Sequence, residues 1–334
     1  MNRNRLAALL TAAMLFCTGC ASSEVPDGSD VPMGAAVTKA FSQSVEVKDA
    51  DPTAELAVLA TDPAVINGLM PVASGTQVKE NASAVIDYSN TADGYVMVKY
   101  TASTSKKLKA QVKGPSGVTY TYNLTAGADY ATFPLSDGNG SYQVSIFENI
   151  SGTSYSTVLS VSFTASLKDE FAPFLLPNQY VNYTPESKTV AKAAELTSGV
   201  SDTLKKVQKV YEFVVDNISY DYEKAASVKS GYLPVLDTVL AQKKGICFDY
   251  AALMTAMLRS QDVPTKLVVG YSGDIYHAWI NVYSPESGWV ENVVYFDGTT
   301  WKLMDPTFAS TGNQSKEIMK YIGDGKNYSA KYIY

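Results

Sequence analysis

Histidine and cysteine are the scarce residues of this chain. Its 334 residues hold 1 histidine, His277, and 3 cysteines, Cys17, Cys20 and Cys247. So few soft ligands exclude a zinc cluster built from Cys and His, and no C-x-x-C redox pair lies beyond the first 20 positions. Positive charge is also short: 27 basic against 33 acidic residues give a net charge of -6, with no basic stripe for a nucleic acid. Long apolar runs are missing as well. The one candidate, Leu6 to Phe16, is too short to span a bilayer as a permanent helix.

That run follows Met1-Asn2-Arg3-Asn4-Arg5, a charged n-region before an h-region, which reads as an export leader. It ends in Cys17-Thr18-Gly19-Cys20. A small residue directly before a cysteine, after an h-region, resembles the lipobox of bacterial lipoproteins. The departure is Cys17, where that family usually has leucine. The resemblance implies cleavage after residue 19, lipidation of Cys20 and an exported protein anchored at the membrane surface; an ordinary signal peptide cut nearby is the alternative. Losing Arg3 and Arg5 with the leader leaves 25 basic against 33 acidic residues, a net charge of -8. Residues 20–35 are small, polar and punctuated by Pro and Gly, as a flexible tether is. Residues 36–79 carry too weak a pattern to assign. With Cys20 lipidated, the chain has no internal disulfide to make, and Cys247 is a lone thiol kept in an exported protein.

From Ala84 the apolar period is two. Leu108, Ala110 and Val112 alternate with Lys107, Lys109 and Gln111, and Val118, Tyr120, Tyr122 and Leu124 do the same. Tyr142, Val144 and Ile146, then Leu159, Val161 and Phe163, repeat the pattern. Gly114-Pro115-Ser116-Gly117 and Asp137-Gly138-Asn139-Gly140 supply turns between them. Short strands separated by such turns predict an antiparallel β-sandwich over residues 80–165. It resembles the immunoglobulin-like modules of bacterial surface proteins in pattern alone. Its tyrosines suit packing on pleated faces, so a spacer is favoured over a sugar-binding module.

Residues 166–200, with Pro173, Pro177 and Pro185, read as a connector, and 201–334 as a second, α+β domain. Leu204, Val207, Val210, Tyr211, Val214 and Ile218 recur at helical spacing, with Ser201 or Thr203 as N-cap. A loop is expected from Ser219 to Gly231, and an apolar element from Val235 to Ala241. Phe248 to Arg259 reads as a helix preceded by Gly245-Ile246-Cys247. A cysteine at a helix N-terminus lies at the positive end of the macrodipole, which favours the thiolate. The competing reading is a small buried hydrophobe. Thr265 to Tyr271 and His277 to Tyr283 read as strands, and Val293 to Met304 as a hairpin around Asp297-Gly298. Asp305 closes that hairpin. Tyr328, Ala330, Tyr332 and Tyr334 alternate with Ser329, Lys331 and Ile333, either as a last strand of the catalytic sheet or as a frayed end.

A thiol, an imidazole and a carboxylate in this order are the parts of a cysteine nucleophile, its base and the orienter of that base. The backbone N–H of Cys247 is the natural oxyanion donor. Gln242 is a second candidate, with a solvated loop glutamine as the alternative.

The stretch 201–310 resembles the transglutaminase-like superfamily, a branch of the papain-like cysteine enzymes. The matching pieces are the helix Lys209 to Ile218 with Tyr220-Asp221, Gly245-x-Cys247-x-Asp249-Tyr250-Ala251, Val263-Pro264, Gly270-Tyr271, His277-Ala278-Trp279 and Asp305-Pro306-Thr307. The resemblance implies Cys247 as nucleophile, His277 as base and Asp305 as orienter, with Asp297 a competing carboxylate. The segment between His277 and Asp305 is longer than in compact members. No cofactor and no metal are expected. Two function classes follow. One is a cell-surface acyl-transfer enzyme that forms a thioester with a protein or peptide substrate, cell-wall peptide among them, resolved by water or an amine. The other is a non-catalytic surface binding or adhesion protein that retains the fold.

Overall fold

The computed structural model describes residues 23–24, 70–291, 294–296, 301–303, 307 and 328–334. The leader, Cys20, most of 20–79, Asp297 and Asp305 lie outside the described residues. Among those described, no helix is long and apolar enough to cross a membrane.

The N-terminal half is built from two antiparallel sheets. In chain order its strands are β1 (Ser23–Glu24), β2 (Val78–Glu80), β3 (Ala84–Asp87), β4 (Tyr95–Tyr100), β5 (Leu108–Lys113), β6 (Thr119–Leu124), β7 (Ala131–Pro134), β8 (Gly140–Ser151) and β9 (Ser154–Ala165). One sheet runs β1-β9-β8-β5-β6 and the other β2-β3-β4-β7. The register sets inward side chains opposite one another: Tyr122, Ala110, Ile146 and Leu159 form one row, and Tyr120, Val112, Val144 and Val161 the next. That is the alternation read from the sequence, and it buries one face of each sheet. Tyr122 of β6 meets Phe133 of β7 with ring centroids 4.3 Å apart, which joins the two layers. Ser23 and Glu24, inside the stretch read as a tether, pair with Tyr155 and Ser154.

The C-terminal half is mixed α and β. Its helices are α1 (Lys188–Thr197), α2 (Thr203–Asn217), α3 (Tyr222–Ser227), α4 (Leu236–Gln242) and α5 (Cys247–Arg259). Short β10 (Ser219–Tyr220) and β11 (Lys244–Gly245) pair in parallel. The strands β12 (Thr265–Ser272), β13 (Ile275–Ser284), β14 (Gly288–Val290) and β17 (Tyr328–Ile333) form a sheet in the order β14-β13-β12-β17. Between them β15 (Val294–Phe296) and β16 (Trp301–Leu303) pair as the expected hairpin. The tail is a docked strand, antiparallel to β12.

Three local expectations are corrected. The cap of α2 is Asp202, whose carboxylate accepts the Lys205 N–H at 2.8 Å; it stands between the two candidates, Ser201 and Thr203. The loop from Ser219 contains β10 and α3. The connector contains α1, whose first N–H groups, of Lys188 and Thr189, donate to Asp237 on α4 at 2.9 and 2.8 Å.

Helix α5 is the centre of this half. All of its residues are buried, enclosed by α1, α2 and α4 on one side and by β12 and β13 on the other. Its last residue, Arg259, is fully buried. The guanidinium donates to the carbonyls of Thr265 (2.9 and 2.7 Å), Leu176 (2.6 Å) and Tyr334 (2.7 Å). Burial pushes its pKa down to about 10, so it stays protonated at neutral pH. One cation therefore ties the helix end to the chain before α1, to the start of β12 and to the tail. Tyr334 continues the seam, with its ring 4.6 Å from Tyr180 and 5.9 Å from Tyr122 of the N-terminal half.

Removing residues 328–334 should therefore act well beyond an end effect. It deletes a ladder, the buried Tyr334 and one partner of a buried charge, on the order of 3 kcal/mol or more. The melting temperature should fall by roughly 6–12 °C in circular dichroism. An unchanged melting curve would contradict the docked tail.

Candidate active site

Cys247 is the first residue of α5, and the chain is led into it by a clamp. Ile246 is extended, at φ -93 and ψ 175, and the helix starts immediately after it. Before it, the Ser219 N–H donates to the Lys243 carbonyl and the Asp221 N–H to the Gly245 carbonyl, both at 2.9 Å. The β10–β11 pair thus fixes the backbone two residues ahead of the sulfur.

Asp249 locks the same corner from inside. Its carboxylate has no solvent exposure. It accepts the Ile246 N–H at 2.9 Å, the Lys224 ammonium at 2.7 Å and the Tyr232 hydroxyl at 2.7 Å. The Ile246 bond is the backward half of a capping box, a carboxylate at N3 holding the N-cap N–H. Lys224 also donates to the Tyr232 hydroxyl and sits 4.3 Å from the centre of that ring. Gly245 is explained by close approach: a Cβ there would lie 2.7 Å from the Asp249 Cβ. The Gly-x-Cys-x-Asp spacing is thus one mechanical unit. It leaves the N–H of Cys247, like any first-turn N–H, without an intrahelical partner.

His277 lies on β13, opposite Gly270 of β12. Both strands pack on α5, the helix that begins at Cys247. The Cys247 and His277 side chains are fully buried. The His277 ring lies 6.3 Å from Trp279 and 6.5 Å from Tyr328, while Trp279 and Tyr328 meet edge-on at 5.2 Å. Gly270 again marks a close approach. A Cβ there would lie 2.0 Å from the Ser329 carbonyl oxygen and 2.9 Å from Trp279, so the tail pairs this closely with β12 at the level of His277 only because that position has no side chain.

Of the other sequence candidates, Gln242 ends α4 with its side chain exposed. Asp305 and Asp297 lie outside the described residues. Sequence reasoning passed over Lys224 and Tyr232, and it quoted Tyr220 only as part of the resemblance. Tyr220 pairs with Gly245 and is buried. Burial above all, and then the neighbouring Cys247, push its phenol well above the ordinary range. A usable signal was present for Asp249: a carboxylate three residues after the position that precedes the helix.

The clamp predicts an asymmetry. Asp249 is fully buried, whereas the Lys224 side chain keeps 26% of its exposure. Lys224→Met strands a buried carboxylate and should cost roughly 3 kcal/mol or more. Asp249→Asn leaves a lysine that can reach water and should cost about 1–3 kcal/mol. Urea unfolding of both variants checks this, and equal or reversed costs would contradict it.

Residues 190–293 match the family model described as the transglutaminase-like superfamily, a span that includes Cys247 and His277. Among curated proteins, Bacillus subtilis YebA is 29% identical over 117 residues, covering 29% of this chain and 16% of YebA. Methanocaldococcus jannaschii MJ1282 is 27% identical over 107 residues, covering 30% of each chain. The match thus spans less than a third of either relative. Among solved structures, the periplasmic domain of TgpA from Pseudomonas aeruginosa superposes loosely, with a TM-score of 0.33, 16% identity and coverage of 72% of this chain and 78% of that one. Red sea bream transglutaminase does so with a TM-score of 0.28, 14% identity and coverage of 69% and 53%. Residues 190–293 of this chain are thus the region similar to the transglutaminase-like superfamily.

Proposed function

We propose that this protein is a cell-surface cysteine acyl-transfer enzyme. The observation that carries the reading is Cys247 at the first residue of a buried helix packed against the strand of the chain's only histidine. The helix N-terminus stabilises a thiolate, and the imidazole takes or shares its proton. The sulfur attacks the carbonyl carbon of a peptide or carboxamide, the amine leaves with a proton from His277, and water or a second amine resolves the thioester. Asp305 orients His277 in this reading. The Cys247 N–H donates to the oxyanion, and Gln242 is the weaker second candidate because its side chain is solvated. The substrate class is a protein or peptide, cell-wall peptide included. Export with a lipid on Cys20 accounts for the leader. The two-sheet half, which we read as immunoglobulin-like, supports the catalytic half through the Tyr122–Tyr334 contact.

One observation favours a second reading. Cys247 has no exposure, as an inert core thiol would, and the protein would then be a surface binding module that retains the fold.

Alkylation kinetics separate the two. Under the catalytic reading, iodoacetamide modifies Cys247 at neutral pH faster than a model thiol. His277→Ala slows that reaction sharply and abolishes turnover. Asp305→Ala leaves the thiol reactive but lowers turnover by a smaller factor, and Asp305→Asn is milder still. Slow alkylation that ignores His277 would favour the binding module. For the anchor, Cys20→Ala should release the protein from membranes or leave it unprocessed, and equal retention of that variant would contradict lipidation.

A further inference from the structure

The positive end of α5 has two anions to hold. One is the thiolate that Cys247 forms at the first helical position. The other is the Asp249 carboxylate at the third, which has no solvent exposure and turns back to accept the Ile246 N–H at 2.9 Å. That amide is the neighbour of the Cys247 amide, so the carboxylate stands close to the sulfur with little water between them. Repulsion between two such anions is weakly screened. Taken alone, Asp249 opposes the ionisation that the helix end favours.

Lys224 removes the conflict. Its ammonium meets the carboxylate at 2.7 Å, and among the described residues it is the only cation paired with Asp249. The lysine side chain keeps 26% of its exposure, so water supports the cation while the anion stays enclosed. The other groups nearby are neutral or already engaged. Tyr232, Tyr220 on β10 and Tyr276 on β13 are held above the ordinary phenol range, by burial first in each case, and keep their protons. After burial, Tyr220 answers to Cys247 and also to Asp249, which puts sulfur and carboxylate among the same neighbours. Tyr250 on α5 donates to the Ile218 carbonyl, and Lys244 and Asp221 pair with each other at 3.4 Å. Asp237 of α4 is taken up by the first N–H groups of α1, while Glu223 of α3 and Lys209, Glu212 and Asp216 of α2 are exposed. His277 on β13 is the base of the reading above and is common to every variant below.

We propose that Lys224 is a positioning residue of this site, the counter-charge that cancels Asp249 and leaves the positive end of α5 to the Cys247 thiolate. The inference rests on the acyl-transfer reading for its purpose, since a nucleophile is what needs the thiolate. Lys224 acts through the carboxylate and not on the substrate. The thiol loses its proton as pH rises; a nearby anion delays that loss and a nearby cation advances it. Asp249→Asn leaves Lys224 uncompensated, so the thiolate forms at lower pH. Adding Lys224→Met to that variant removes the cation and strands no charge, so the thiolate forms where it does in wild type. Lys224→Met alone leaves the anion, and the thiolate forms at higher pH.

The test is the pH profile of iodoacetamide alkylation of Cys247 in the full chain, read as the midpoint of the rise in rate. Asp249→Asn should lower the midpoint by about 1 pH unit, and Lys224→Met should raise it by about as much. The double variant should return to the wild-type midpoint. Lys224→Met is the variant most at risk of unfolding, and Asp249→Asn with the double variant decides without it. A purely structural clamp would slow alkylation in both of these alike and leave the midpoint in place. An unmoved or raised midpoint in Asp249→Asn, or a double variant that stays with Asp249→Asn, would overturn the proposal. His277→Ala reports separately on the reading beneath it. If that variant alkylates as fast as wild type while the charge series shifts as stated, the acyl-transfer reading fails and Lys224 still sets the thiolate.

Discussion

A carboxylate with no access to water, Asp249, holds the N-terminus of a helix that has no solvent-facing side. Desolvating that charge is expensive, and it is tolerated because three donors converge on it: Lys224, Tyr232 and the Ile246 N–H. Much else in the C-terminal half follows from keeping that arrangement intact. α3 must exist to deliver Lys224, and Asp221 caps it by accepting the Lys224 N–H at 2.9 Å. The two-residue strands must pair so that Gly245 passes under the carboxylate. Cys247 then has one backbone position open to it, at the amide-rich end of α5.

The opposite end of the helix is built with the opposite sign. Arg259 in the last turn and Asp249 in the first complement the helix dipole, anion at the N-terminus and cation at the C-terminus. Neither charge is a surface ornament. Arg259 gathers three carbonyls, two of them distant in sequence and one of these on the last described residue, so it joins the helix to the tail. The tail in turn pairs with β12 at Gly270, the residue opposite His277. The helix that begins at Cys247 is therefore pinned at both of its ends.

The legibility of the sequence followed the range of the forces. Where a pattern is local and repeated, as in Leu108-Ala110-Val112 or Val207-Val210-Val214, strand and helix were read within a residue or two. The cysteine helix and the tail strand were legible for the same reason. α1 was not, because its buried residues include Thr189, Ala193 and Thr197, a thin apolar stripe after three prolines. Its N-terminus is also capped by Asp237 from a sequence separation of 48. The parallel β10–β11 pair is too short to leave a period. At the site, residue types and order were legible in Cys247 and His277. The convergence of Lys224 and Tyr232 on Asp249 depends on which loops meet in space, and a single sequence carries no sign of that.

The central claim is that Cys247 accepts an acyl group from a carboxamide or peptide carbonyl. The most direct measurement is mass spectrometry of the full chain, acid-quenched after incubation with a peptide and amine library. The account predicts an acyl mass on the peptide that contains Cys247, removed by hydroxylamine as a thioester would be and absent from the His277→Ala variant. A Cys247 peptide that stays unmodified, or acyl groups found only on other residues, would contradict it.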